Sequence, residues 1–190
     1  MNRLILLACA VGTVAVAAPK EEVSKPLKAL VNAVRYGKDV MALKGFSGDE
    51  QGRRLMQENW EKGTDAQRKE FVTLFHTIFA KVAFPKFRDN YFKYLDTILY
   101  DEPVIEGEKA TIASTILVNH PLKKQELKVR YDLIQTKAGW QIVDAKVLGD
   151  SMLKGIQEDQ IAPLFKEGGW DGVLKAMREK AKELESVPLK

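Results

Sequence analysis

Cysteine and histidine are nearly absent. Cys9 is the sole cysteine, and His76 and His120 are the only histidines in 190 residues. With Cys9 so close to the N-terminus, the rest of the chain has no disulfide, thiolate nucleophile or thiolate metal ligand. The two histidines show no H-x-x-x-H or Glu-flanked spacing for a metal. The sequence also has no G-x-S-x-G elbow and no G-x-x-x-x-G-K-[ST] loop. Gly168-Gly169-Trp170-Asp171-Gly172 is rich in glycine but follows a helical pattern, so it reads as a helix end and turn. The carboxylates Asp144, Asp150, Glu158 and Asp159 are scattered. Neither catalysis, a metal nor a cofactor is therefore expected. A dense basic patch is missing too. The formal charge is +4 and dispersed, and Lys123-Lys124 and Lys128-Val129-Arg130 are separated by Glu126. That pattern fits a solvated strand better than a nucleic-acid patch, so no nucleic-acid partner is expected, while weak attraction to anionic headgroups stays open.

The first residues form a leader. Arg3 gives a basic start, the stretch from Leu4 to Ala18 is apolar or small, and Ala15-Val16-Ala17 fits an A-x-A cleavage site. The expected division is a cleaved signal peptide at 1–17 and a single domain at 18–190. The run is too short and too rich in Ala and Gly for a membrane span, which needs about 20 strongly apolar residues. Leu6, Leu7, Ala8 and Cys9 resemble a lipoprotein box, a second reading of the same segment. Cleavage before Ala18 leaves a charge one unit lower, because Arg3 is lost.

Over the whole chain, 45% of residues are hydrophobic and 29% charged, an ordinary globular balance. Ser24 is expected to cap a first helix bearing Leu27, Leu30, Val31 and Val34 and ending at Gly37. Ser47-Gly48-Asp49-Glu50 reads as a capping box for a helix carrying Leu55, Met56 and Trp60. Thr64-Asp65-Ala66-Gln67 opens a third, with Phe71, Leu74, Phe75, Ile78, Phe79 and Val82 on a wide apolar face and Pro85 as its end or bend. The period then changes to two. Strands are expected at 95–104, 109–119, 125–136 and 140–148, with short connections that imply antiparallel neighbours. Helical spacing returns after Gly149, with Pro163 and Gly168-Gly169 as breaks and Asp171 capping a last helix. The expected fold class is α+β: a four-stranded curved antiparallel sheet packed against N-terminal and C-terminal helices.

In a half-buried strand alternate side chains face the core. The inward set on the third strand is Leu127, Val129, Tyr131 and Leu133, since its alternates include Lys128, Arg130 and Asp132. Ile112, Ile116 and Val118 are expected beside them. On the last strand Val143 and Val147 are expected inward, because Asp144 and Lys146 alternate with them, although Trp140 and Ile142 fall in that opposite set. Phe75, Ile78, Phe79 and Val82 are expected to cover this face from the long helix. Periodicity does not say whether these residues fill a core or line a cavity.

Trp60-Glu61-Lys62-Gly63-Thr64-Asp65-Ala66-Gln67-Arg68 with Phe71 and Phe75 follows the pattern W-x-x-x-T-x-x-Q-R-x-x-F-x-x-x-F. Together with Val129 to Leu133, Gly139 to Asp144, Gly149-Asp150-Ser151 and Gly168 to Leu174, it resembles the MlaC family, also called the toluene-tolerance family. The similarity runs from about Val31 to Leu184. Two departures stand out: an extra segment around Lys44 to Gly48, and Gly155-Ile156-Gln157 where the family often has an Asn-aromatic-Arg triplet. The resemblance implies a monomeric periplasmic carrier, not an enzyme, with a phospholipid as cargo against the inward-facing strand and long-helix residues given above. It implies two partners, an inner-membrane ABC lipid transporter complex and an outer-membrane lipoprotein/porin complex, in a system that maintains outer-membrane lipid asymmetry. The alternatives are a small-molecule binder or enzyme on a similar curved sheet, using His76, Asp132 or Asp144, and an adaptor with a filled core.

Overall fold

The computed structural model describes residues 19–189. The expected leader, its expected cleavage site and Cys9 lie outside the described residues. The elements in chain order are α1 (Pro19–Arg35), α2 (Asp39–Leu43), α3 (Gly48–Met56), α4 (Asp65–Asn90), β1 (Leu95–Tyr100), β2 (Val104–Glu106), β3 (Lys109–His120), β4 (Lys123–Thr136), β5 (Gly139–Val147), β6 (Asp150–Ser151), α5 (Met152–Ile156) and α6 (Ala162–Glu183). The class is α+β. The sheet order is β1-β3-β4-β5-β6 with β2 beside β3, and these ladders are all antiparallel. The four expected strands are present. The first divides at Asp101-Glu102-Pro103 into β1 and β2, and β6 adds a short pairing with the end of β5.

Several helix boundaries differ from expectation. Ser24 is not a cap: it lies buried inside α1, its hydroxyl 3.4 Å from the Glu21 carbonyl. Ser47 stands at the N-cap of α3 without a side-chain cap bond, so that capping box does not form. Thr64 does form one. Its Oγ1 accepts from the Gln67 N–H, and Gln67 Oε1 accepts from the Thr64 N–H at 2.9 Å. α4 then runs through Pro85 rather than ending there. A π-helical turn, Gln157–Ile161, joins α5 to α6, and α6 kinks at Gly169, whose φ of 58° is open to glycine at little cost.

α4 packs two different neighbours. At about 100° per residue, Phe71, Phe75 and Phe79 lie near one another, while Ala80, Phe84 and Phe87 lie roughly 120–180° further round than Phe75. The first half faces Trp60, Trp170 and Met177, and the second half faces Ala33, Val34 and Ala42. Val82 therefore stays on the Phe75 side after the buried face has moved away, and it is 37% exposed.

A β-bulge settles the conflict on β5. Asp132 opposes Asp144 but Leu133 opposes Ile142, so Val143 is an extra residue. Trp140 and Ile142 on one side of the bulge, and Ala145 and Val147 on the other, then share the inward face that a strict period of two would have divided between them.

The candidate functional site is an apolar cavity

Four apolar clusters meet around one cavity of about 210 Å³. α1 contributes Leu27, Leu30, Val31 and Val34, and the loop before α3 adds Phe46. α4 contributes Phe75, Phe79, Phe84 and Phe87, continued by Tyr91 and Phe92. The sheet supplies Ile116 from β3, Leu127, Val129 and Tyr131 from β4, and Ile142 to Ala145 with Val147 from β5. α5 closes the wall with Met152, Leu153 and Ile156.

Of the residues expected here from sequence, Phe75, Phe79, Ile116, Leu127, Val129, Tyr131, Val143 and Val147 line the cavity. Five do not. Ile112 and Leu133 face inward, but Val23 and Leu27 of α1 cover them and make that end of the sheet a filled core. Val118 is sealed at the other end by Tyr91, Tyr94 and Leu95. Ile78 packs into the cluster shared with α6, and Val82 points outward for the reason given above. Sequence reasoning missed the α1 wall as a cavity surface, Phe46, Phe84 and α5. The helical spacing of Leu27, Leu30, Val31 and Val34 was visible, but which surface it would meet was not.

Besides the phenols of Tyr91 and Tyr131, Gln51 and Asp144 bring polar groups to the wall, and both are anchored. Gln51 donates from Nε2 to the Val143 carbonyl at 3.1 Å, which turns its Oε1 to His76 Nε2 at 2.8 Å. His76 must then carry its proton on Nε2, and burial pushes the imidazole down to about 4. Asp144 accepts from the Ala145 and Leu153 N–H groups at 2.9 and 3.1 Å and from Ser151 Oγ at 2.5 Å. Ser151 in turn accepts from the Lys154 N–H, so the Gly149-Asp150-Ser151 segment works as the N-cap of α5.

Asp132 faces away from the cavity. Its burial opposes ionisation, but Arg54 at 2.7 Å and Lys146 at 3.0 Å outweigh that and hold its carboxyl below the usual carboxylate range. The Tyr131 hydroxyl accepts from Ser114 Oγ at 3.3 Å, and burial pushes its phenol up. His76 is held by Gln51, while Asp132 and Asp144 share Arg54, which lies 2.7 Å from the first carboxylate and 3.8 Å from the second. No group of three or more His, Cys, Asp or Glu among the described residues suits a metal ion. No helix among them is long and apolar enough to cross a membrane.

The motif residues build the scaffold instead. Trp60, Phe71 and Trp170 form a cluster with ring centroids 6.0 Å apart. Gly63 lies so close under Trp170 that a Cβ there would come within 2.5 Å of the indole. Gln67 reaches Asp171 at 3.4 Å, and Arg68 reaches the Trp60 carbonyl at 3.4 Å.

A family model described as MlaC protein matches residues 38–179. Among solved structures, a phospholipid-binding protein from Ralstonia solanacearum in complex with a phospholipid superposes with a TM-score of 0.69 at 16% identity, covering 88% of this chain and 99% of the other. An NTF2-like protein of unknown function from Shewanella oneidensis covers 68% of this chain and 98% of its own at 12% identity, with a TM-score of 0.41. No curated protein matches the sequence.

Proposed function

The chain belongs to the MlaC family, and from that premise we propose that it is a periplasmic phospholipid carrier that encloses acyl tails in the cavity between α1, α4, α5 and the sheet. The observation that carries this reading is the lining: hydrocarbon side chains from every layer, with the polar groups of Gln51 and Asp144 already bonded within the protein. Two acyl tails hold roughly 30 methylenes at about 0.8 kcal/mol each, so free transfer through water is opposed by roughly 20 kcal/mol or more. A protein that covers the tails offsets that cost. It needs no bound metal, nucleotide or catalytic group.

The cavity is small for this cargo. Sites that enclose drug-sized ligands run to about 300–1,000 Å³, so a two-tailed lipid enters only as the walls part. The phospholipid in the related Ralstonia structure supports that capacity for the fold. Within this reading the protein carries lipid between an inner-membrane ABC transporter complex and an outer-membrane lipoprotein/porin complex, and the transporter supplies direction. Residues 1–17 are the cleaved leader and 18–190 the single working domain. Intact mass of the exported protein checks the leader: it should begin at Ala18, whereas a retained Met1 or a lipidated Cys9 contradicts it. Lipid extraction from protein purified without detergent checks the cargo, and diacyl phospholipid is the expected result.

A further inference from the structure

The cavity wall is hydrocarbon except at Gln51, Asp144 and two phenols. Tyr131 enters from β4, and Tyr91 from the turn that follows α4. Both pack on the same cluster of Ile116, Val118 and Val129, so they stand over one stretch of the wall. Tyr131 marks a boundary there. On one side Ile112 and Leu133 are covered by Val23 and Leu27, and on the other Ile116 and Val129 face the open cavity.

The hydrogen bonds of the phenols differ from those of the other two groups. Gln51 and Asp144 are tied to the β5 bulge and to α5. Tyr131 shares a single bond with Ser114, which is 2% exposed and fixed behind the wall. Two hydroxyls carry two protons, and one bond uses one of them. With Ser114 Oγ donating, the proton left over is that of Tyr131. The Tyr91 ring meets Phe87 with centroids 6.4 Å apart, and its hydroxyl binds no group among the described residues. Burial pushes the Tyr131 phenol up, so it stays a donor. A buried O–H without an acceptor is destabilising, and tyrosine hydroxyls in apolar surroundings normally find one.

We propose that Tyr131, joined by Tyr91 from the helical side, donates to the ester carbonyls of the cargo, so that the cavity selects acyl esters over lipids of the same chains and headgroup that lack a carbonyl. Elimination leads there. Acyl tails are hydrocarbon and offer no acceptor. A headgroup phosphate calls for water or cations, and no lysine or arginine lines this wall. The oxygens that join tail to glycerol are the acceptors a diacyl phospholipid carries next to its hydrocarbon. A phenol supplies one neutral hydrogen bond at that point while its ring keeps the wall apolar. The proposal rests on the carrier reading and deepens it, since a purely apolar pocket would hold two-chain ester and ether lipids alike.

The test equilibrates the protein with vesicles holding equal amounts of dipalmitoyl phosphatidylcholine and its dihexadecyl ether analogue, and reads the loaded lipid by native mass spectrometry. The wild type should carry the ester in roughly threefold excess or more, the worth of one neutral hydrogen bond. Tyr131→Phe keeps the ring and should still load lipid, but with the ratio brought towards parity. Tyr91→Phe should lower the ratio part of the way. Tyr100→Phe, the same change on β1 outside the cavity lining, should keep the wild-type ratio. Both lipids compete within one sample, so a loss of stability alone does not move the ratio. Melting temperature checks the fold of each variant. If Tyr131→Phe fails to fold, the fall is read from Tyr91→Phe, and an unchanged ratio there counts against the proposal. Equal loading of ester and ether by the wild type overturns the proposal and leaves the carrier reading standing. So does a preference that survives both Tyr131→Phe and Tyr91→Phe. Uptake of neither lipid by the wild type removes the carrier reading itself.

Discussion

His76 Nε2 meets Gln51 Oε1 at 2.8 Å, and Gln51 passes the bond on to the carbonyl of Val143, the extra residue of the β5 bulge. One chain of hydrogen bonds thus ties α4 to α3 and α3 to the irregular point of the sheet. The His76 ring lies among Phe46 and Phe75, and this burial disfavours its charged form.

Burial of His76 makes stability pH-dependent. The folded pKa of His76 is pushed down to about 4 by burial, while an unfolded histidine titrates near 6.5. Between those values the unfolded chain binds a proton that the folded chain does not, so stability falls as pH drops from about 6.5 to 4. The loss approaches at most about 3 kcal/mol. Urea unfolding across this range should show the slope in wild type. His76→Phe should lower stability at pH 7 by about 1–3 kcal/mol, because Gln51 Oε1 loses its donor, yet flatten the acid slope. An unchanged slope in His76→Phe contradicts the assignment.

Substitutions across the sheet should separate the two faces. Val129 is 9% exposed and on the cavity wall, so a carboxylate there has no partner and costs several kcal/mol, about 3 or more, unless it neutralises. Val129→Asp should lose lipid or unfold at lower temperature. Lys128→Asp, on the outward side, should do neither. On α4 the same contrast should hold between Phe79→Asp, which is disruptive, and Val82→Asp, which is tolerated. Lipid occupancy and melting temperature of the four variants decide it.

The two expected capping boxes should differ in worth. Thr64→Ala removes a hydrogen-bonded cap and should cost about 1 kcal/mol. Ser47→Ala removes a hydroxyl that caps nothing and should stay within about 0.5 kcal/mol. Chemical denaturation of both variants checks the difference.

Asp144→Ala strips the acceptor from the Leu153 N–H and frees the Ser151 hydroxyl. The start of α5 should fray at a cost of about 2 kcal/mol. Because Met152, Leu153 and Ile156 form part of the cavity wall, lipid exchange should accelerate. Hydrogen exchange at the Leu153 and Lys154 amides and transfer of a fluorescent phospholipid are the readouts. Unchanged protection at both amides contradicts this role.

Local chemistry was legible wherever the period was regular. The alternation on β4 placed Val129 and Tyr131 inward, and the Thr64–Gln67 box formed as read. Of the segments that carry the family resemblance, the one around Trp60 and Trp170 builds scaffold, its aromatic rings and close-packed Gly63 holding α4 against α6 with only Phe75 at the cavity, while the strand segments bring Val129, Tyr131, Ile142 and Val143 to the wall. Most of the cavity wall lies outside the motif. What stayed hidden depended on long-range packing. No local signal announces that α4 changes its buried face between Phe79 and Phe84, that a bulge at Val143 reunites Ile142 with Val147, or that α1 covers Ile112 and Leu133 while leaving Ile116 open.

The most direct test is native mass spectrometry of the exported protein, purified without detergent and then offered phospholipid vesicles. The account predicts a diacyl phospholipid bound one per chain, retained by Lys128→Asp and lost from Val129→Asp. A protein that emerges empty, and still takes up no lipid from the vesicles, would contradict it.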